Sequence, residues 1–137
     1  MDDKRIEERQ HVEQGQLVMP SYLICDVSYS MEGDMAALNK GLQRLRQAIV
    51  IEPVVDDVAQ LCIMMFSDTA KMLLPMSSMS EVTVPTLAVQ GRTNYGAAFE
   101  LLAHTIEQDK ADLRKRGYMV FRPCAFFLTD GEPLEDD

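Results

Sequence analysis

The sequence predicts an α/β protein built on an open, doubly wound and mostly parallel sheet with one antiparallel edge strand. Three short apolar runs, at residues 21–25, 58–66 and 123–128, have the density of buried strands. Two longer segments with helical periodicity lie between them, and this alternation is typical of right-handed strand–helix–strand units. The first run is followed directly by Asp26, and the third by Thr129 and Asp130. In such sheets ligands bind at the carboxyl ends of the strands, so we expect a polar site there.

Length and composition narrow the classes of protein that the chain can belong to. The 137 residues fit one domain, and 47% hydrophobic with 26% charged residues is typical of a folded globular chain. The net charge of −9 argues against a nucleic-acid or anionic-membrane partner. Because there is neither a membrane-length apolar run nor a signal peptide, we expect a cytoplasmic protein. Cys25, Cys62 and Cys124 are odd in number and each is flanked by apolar residues, which predicts reduced, buried thiols.

The first third of the chain is predicted to form a tail, a strand and a helix. Residues 1–19 mix both signs of charge with few large apolar side chains, so we expect a flexible or weakly ordered tail. The first strand follows at 21–25. Asp34 then opens a helix whose apolar residues recur at three- and four-residue steps, and Pro53 stops it.

The middle of the chain is predicted to form a β-hairpin. The second strand covers residues 58–66, and the break at Ser67-Asp68 leads into an antiparallel neighbour at 69–74. Pro75 suits an edge strand because proline cannot donate to a ladder of hydrogen bonds.

The last third is predicted to hold a connecting segment, a helix and a strand. Residues 76–92 are rich in Ser, Thr and Pro, with a short element expected near 82–87. Asn94 is a suitable N-cap for the next helix, which Gly117 ends. The third strand at 123–128 completes the predicted sheet.

Oxygen-bearing side chains follow the ends of these elements. Asp26, Ser28 and Ser30 place one carboxylate and two hydroxyls in the turn after the first strand. Thr93 lies just ahead of a helix start, and Asp130 follows the third strand. Hard oxygen donors of this kind suit Mg²⁺ or Mn²⁺ and suit zinc or copper poorly. The sequence therefore predicts a divalent-metal site at the carboxyl edge of the sheet.

The order and spacing of these residues resemble a known family. Asp26-x-Ser28-x-Ser30, Thr93 and Asp130 are similar to the metal-ion-dependent adhesion site of von Willebrand factor type A (VWA) domains, and the resemblance covers roughly residues 20–133. It implies a Rossmann-like VWA fold. Residues 25–31 and 129–133 further resemble a bacterial cytoplasmic branch of that family, which is linked to tellurite resistance and stress operons.

The resemblance also implies a role for each residue of the site. Ser28 and Ser30 would bind the metal through their hydroxyls, and Thr93 would bind it directly or through water. Asp26 and Asp130 would accept hydrogen bonds from metal-bound waters. A shell of neutral hydroxyls leaves the ion underneutralised, so a Glu or Asp of a partner protein can complete it. Mg²⁺ is the expected ion, with Mn²⁺ or Ca²⁺ as alternatives.

Two other interpretations stay open at this point. Serines such as Ser28 and Ser30, and the pair Asp130-Gly131, also occur in ordinary turns and caps. In an enzyme, Asp26 could instead be the nucleophile of a Mg²⁺-dependent phosphotransferase or phosphatase of haloacid-dehalogenase type. That chemistry needs a second acid two residues later, where Ser28 stands, and the sequence has no P-loop or Gly-x-Gly-x-x-Gly turn. We therefore expect an interaction module and no enzymatic activity.

The chain departs from the family's usual length. VWA domains continue beyond the third strand predicted here with two further strand–helix units, whereas this sequence stops at Asp137. We expect residues 20–137 to be the N-terminal two-thirds of such a domain, in a fragment, a self-pairing chain or a chain completed by another protein. The strand ending at Leu128 would then be an exposed edge carrying Phe126 and Phe127, which favours self-association.

Overall fold

The computed structural model describes residues 15–129, which form a five-stranded mixed sheet with helices on both faces. The strands are β1 (Leu17–Asp26), β2 (Ala59–Phe66), β3 (Ala70–Ser78), β4 (Met119–Val120) and β5 (Cys124–Leu128). The helices are α1 (Met35–Val50), α2 (Pro53–Val58) and α3 (Tyr95–Lys115), with 3₁₀ turns at Tyr29–Asp34 and Met79–Glu81. The predicted fold class is confirmed. Asp130 and most of the predicted tail lie outside the described residues.

β1 is the centre of the sheet. It pairs in parallel with β2 on one side and with β4 and β5 on the other, and β2 pairs antiparallel with β3. The strand order is therefore β3-β2-β1, and β4 and β5 pair one after the other with the start and the later part of β1. β3 is the antiparallel edge strand that the sequence predicts, and it contains Pro75.

Alternate side chains of β1 pack into two separate clusters. Leu23, Cys25 and Val27 face the cluster that contains Met35 and Leu42 of α1. Tyr22 and Ile24 face the opposite cluster, which contains Ala98 and Leu102 of α3. Because both faces of β1 are covered, its sequence is continuously apolar and does not alternate with polar residues.

The predicted start of the first strand is wrong. β1 begins at Leu17, so residues 17–19, which the sequence assigns to a tail, belong to the sheet. Leu17 and Val18 pair with Met119 and Val120 of β4. A strand of two residues has no periodicity to detect, so the partner that orders this segment escapes prediction.

α1 ends before Pro53, as predicted, and Pro53 itself begins the short helix α2, at the position where a missing N–H costs nothing. Three smaller predictions are wrong. β3 extends to Ser78, and no strand or helix forms at residues 82–87. Cys124 is exposed because β5 packs with one side against β1 and has no neighbour on its other side within residues 15–129, whereas Cys25 and Cys62 are buried.

Within residues 15–129, no helix combines the length and the apolar character that a membrane span requires.

Candidate metal centre

Asp26, at the carboxyl end of β1, is fully buried and hydrogen-bonded through both carboxylate oxygens. Its Oδ1 accepts from the backbone N–H of Ser28 at 2.9 Å and from the Ser28 hydroxyl at 2.6 Å. Its Oδ2 accepts from the Thr129 hydroxyl at 2.7 Å. The carboxylate therefore joins the ends of β1 and β5 and fixes the hydroxyls around it.

The hydroxyls of Ser28 and Ser30 lie close together in the turn after β1, which we call the serine turn. The Oγ atoms of Ser28 and Ser30 are 3.1 Å apart. Ser28 has one hydroxyl hydrogen and donates it to Asp26, so Ser30 is the donor in this pair. The Ser28 oxygen is thus held with its lone pairs directed away from the carboxylate, as a cation ligand requires.

The loop that carries Thr93 is joined to the serine turn by backbone hydrogen bonds. The N–H of Gln90 donates to the carbonyl of Val27 at 2.6 Å, and the N–H of Tyr29 donates to the carbonyl of Gly91 at 3.0 Å. Thr93 is buried, and its Oγ1 has no hydrogen-bond partner among the described residues. A buried hydroxyl without a partner is uncommon in a folded protein and calls for a ligand or another explanation.

A second hydrogen bond holds the chain on the C-terminal side of Thr93. Tyr95, two residues further on, lies with its hydroxyl 3.3 Å from the Thr129 hydroxyl. Because Thr129 donates to Asp26, Tyr95 is the donor to Thr129. Thr93 therefore stands between Gly91, bonded to the serine turn, and Tyr95, bonded to the residue that holds Asp26.

The β2–β3 turn supports the same loop. Asp68 accepts from the backbone N–H of Arg92 at 3.0 Å, and its carbonyl accepts from the side chain of Asn94 at 3.1 Å. Asn94 caps α3 by accepting from the N–H of Ala97 at 3.1 Å, as its sequence position predicts. Gly91 has φ 67°, and an added Cβ would lie 2.6 Å from Asp68 Oδ2, so only glycine fits.

One polar row on α1 holds the segment that leads to Thr93. Asn39 donates to the carbonyl of Leu87 at 2.9 Å and accepts from its N–H at 2.7 Å. Gln43 and Arg46 donate to carbonyls of residues 82–84 at 3.2 and 3.0 Å. The partners of these side chains are 36 to 48 residues away in the sequence, so this contact was not identified from the sequence.

The donor set fits a small, hard cation. The structure brings Asp26, Ser28 and Ser30 together and joins the Thr93 loop to them, while Asp130 follows Thr129 just outside the described residues. Among residues 15–129, no three His, Cys, Asp or Glu side chains could hold a metal together, so hydroxyls dominate the candidate centre. Such a donor set suits Mg²⁺ better than zinc or copper.

Thr129 and Asp68 were missed by the sequence analysis. Thr129 has a detectable signal, because a hydroxyl residue follows β5 directly and precedes the predicted ligand Asp130. Asp68 has none, because it acts through backbone groups of a loop 24 to 26 residues away.

The two buried thiols of the sheet, Cys25 and Cys62, have raised pKa values. Burial raises the pKa of Cys25, the residue before Asp26, to about 12. Burial, with a smaller effect from the Asp109 charge, also raises the pKa of Cys62 to about 12. In the metal-free protein both thiols are therefore protonated at neutral pH.

No protein-family model and no curated protein sequence matches the chain. Among solved structures, the chain is similar to VWA2, the ArnB paralog from Sulfolobus acidocaldarius, with a TM-score of 0.52 and 16% identity over 89% of its length. The fold is VWA-like. The VWA-like chain spans 30% of the length of VWA2. It is also similar to proximal thread matrix protein 1 from the mussel byssus, with a TM-score of 0.42 and 16% identity over 85% of this chain and 39% of that one. That likeness is too low to carry an argument.

Proposed function

We propose that the chain is a divalent-metal-dependent protein–protein interaction module in which Asp26, Ser28, Ser30, Thr93 and Asp130 hold Mg²⁺, with Mn²⁺ or Ca²⁺ as alternatives. The main support for this proposal is the environment of Thr93. Among residues 15–129, the buried Thr93 hydroxyl has no partner, and its loop is hydrogen-bonded to the serine turn. A cation bound by the serine hydroxyls would satisfy it.

The residues of the proposed site have distinct tasks. Asp26 orients the Ser28 hydroxyl, and Thr129 keeps Asp26 in place. Ser28, Ser30 and Thr93 provide neutral oxygens that leave most of the ionic charge uncompensated. The bound ion would supply positive charge and an open position for a carboxylate.

The proposed partner is a protein that offers a Glu or Asp side chain. The chain has a net charge of −9, so without a cation its surface repels an acidic partner. Binding would therefore depend on the metal. The same proposal includes a role in a bacterial stress or metal-resistance system in the cytoplasm, and it is supported by the resemblance of residues 25–31 and 129–133 to the tellurite-resistance branch.

The proposed role is not catalytic. Asp26 is fully buried, and both of its carboxylate oxygens accept hydrogen bonds from Ser28 and Thr129. A nucleophile of haloacid-dehalogenase type needs a carboxylate oxygen that can reach phosphorus. We expect no turnover of a generic phosphate ester in Mg²⁺. Turnover that is lost in Asp26→Asn would contradict this part of the proposal.

The first test is thermal melting with and without millimolar Mg²⁺, on the wild type, on Asp26→Ala and on the surface control Asp112→Ala. At about 100 times the dissociation constant, Mg²⁺ should add about 2.7 kcal/mol and raise the melting temperature by about 10 °C. The gain should persist in Asp112→Ala and disappear in Asp26→Ala. A wild type that responds to none of Mg²⁺, Mn²⁺ and Ca²⁺ would contradict the proposal.

A further inference from the structure

A cleft of about 480 Å³ opens beside the candidate metal centre. Residues 92–94, the first turn of α3, Asp68 and Phe99 line it. We call it the Thr93 cleft. Thr93 contributes to its wall and also carries the buried hydroxyl that has no partner in the described part of the chain. The cleft therefore begins at a residue of the proposed metal site.

The Thr93 cleft is suited to a negatively charged occupant. Its wall includes the N-terminal turn of α3, a helix of 21 residues whose positive dipole end attracts anions. Arg92 adds a positive charge to the wall and Asp68 a negative one, and Asp68 Oδ1 accepts from the backbone N–H of Arg92. Asn94 accepts from the N–H of Ala97, so the helix end acts through its dipole, and Gly96 adds no side chain above it.

The far side of the cleft offers an exposed aromatic ring. Phe99 is 55% exposed, although its ring lies 4.9 Å from that of Phe127. The Phe127 ring contacts the ring of Phe66, which in turn contacts the ring of Tyr95. Phe99 is therefore the surface end of a row of aromatic rings that reaches into the core. An aromatic side chain held rigidly at the edge of a polar cleft is typical of a protein interface.

We propose that the Thr93 cleft is a second contact for the acidic partner. The partner's Glu or Asp reaches the Thr93 side, and a large apolar side chain close to it in the partner's sequence packs on Phe99. The inference rests on the proposed function and adds the class of partner, which is an acidic segment with an adjacent apolar residue. It makes Phe99 a specificity-determining residue that does not contact the metal.

The test uses capped Gly/Ser peptides that each carry one Glu, with or without a Leu placed one to three residues to either side. Their dissociation constants are measured by NMR titration at saturating Mg²⁺. We expect the best Leu peptide to bind about fivefold more tightly than the Leu-free peptide, as partial burial of one apolar side chain predicts. Phe99→Ala should remove that difference. Phe121→Ala, an equally exposed phenylalanine outside the cleft, should retain it.

The outcomes separate this inference from the proposed function. If Mg²⁺ stabilises the protein but Leu makes no difference at any position, the Thr93 cleft inference is wrong and the metal proposal stands. The same conclusion holds if Phe121→Ala removes the preference as effectively as Phe99→Ala. If Mg²⁺ gives neither stabilisation nor peptide binding, the proposed function is wrong and this inference fails with it.

Discussion

The Thr93 hydroxyl is needed for the proposed metal binding, but it destabilises the folded protein when no metal is bound. This buried hydroxyl has no partner within residues 15–129, and such a group costs about 1–3 kcal/mol. The metal-free protein should therefore be less stable than it would be with an apolar side chain there. Thr93→Val keeps the shape and removes the hydroxyl. We expect it to raise metal-free stability by about 1 kcal/mol and to lower the Mg²⁺-dependent gain, both measured by urea unfolding.

The matched control for Thr93→Val is Thr105→Val. Thr105 is also buried, but it lies further along α3 and its hydroxyl is not among the unpartnered atoms. Thr105→Val should leave the Mg²⁺ gain at its wild-type value. A Thr93→Val protein that responds to Mg²⁺ as fully as the wild type would show that Thr93 is not a ligand.

Asp109, on α3, provides a pH-dependent contribution away from the site. The Tyr22 hydroxyl donates to its Oδ2 at 2.7 Å. Burial raises the pKa of the Asp109 carboxyl, although this hydrogen bond lowers it. The stabilising contribution is therefore present below the unfolded pKa, near 3.9, and is lost as pH rises through the folded pKa. The stability of the wild type minus that of Asp109→Asn should fall in urea titrations as pH rises above about 3.9. A constant difference would contradict this assignment.

At the scale of elements, α1 holds the segment that leads into the Thr93 loop. The paired hydrogen bonds between Asn39 and Leu87 hold the segment that continues to Gly91 and Thr93. Asn39→Ala should lower Mg²⁺ affinity by about tenfold, as loss of an outer support does in metal sites, and cost about 1–2 kcal/mol of stability. Lys40→Ala, on the exposed face, should change neither quantity. Calorimetry would contradict the positioning role if both variants bind Mg²⁺ equally.

Sequence patterns predicted the elements whose signals are local. The apolar runs and helical periodicity located β1, β2, β5, α1 and α3, and Asn94 and Gly117 marked the ends of α3, where Gly117 has φ 96°. The carboxylate and the hydroxyls of the serine turn could also be predicted, because they lie within five consecutive residues. The strand β4 and the clamp at Asn39 depend on partners distant in sequence. In the sequence alone, β4 looks like an ordinary loop, and the stretch around Asn39 looks like a solvated helix face.

At the scale of the whole molecule, the doubly wound sheet brings the candidate donors to one edge. β1 ends in Asp26, and β2 and β5, which pair with it near that end, run in the same direction, so the turns that follow all three strands emerge together. The turn after β1 supplies the serines, the turn after β2 supplies Asp68, and the residue after β5 is Thr129. A local motif thus becomes a site only through the parallel order of the strands.

The two outer strands of the sheet differ in how they are protected. β3 carries Lys71 and Pro75, which discourage strand addition. β5 carries no charge, and within residues 15–129 it pairs with β1 alone. Its Phe126 is 53% exposed beside an apolar cavity of about 530 Å³ shared with α1. The predicted self-association should therefore involve β5.

A charge on β5 tests this prediction. Phe126→Lys should shift a concentration-dependent sedimentation profile toward the monomer, because pairing along β5 would bring the new charges of two copies together. The control Met72→Lys places the same charge on β3, where Met72 is 40% exposed, and should leave the profile of the wild type unchanged. A wild type that sediments as a monomer at all concentrations would contradict self-association. An equal effect of both variants would point to net charge, since each adds one positive charge to a chain of −9.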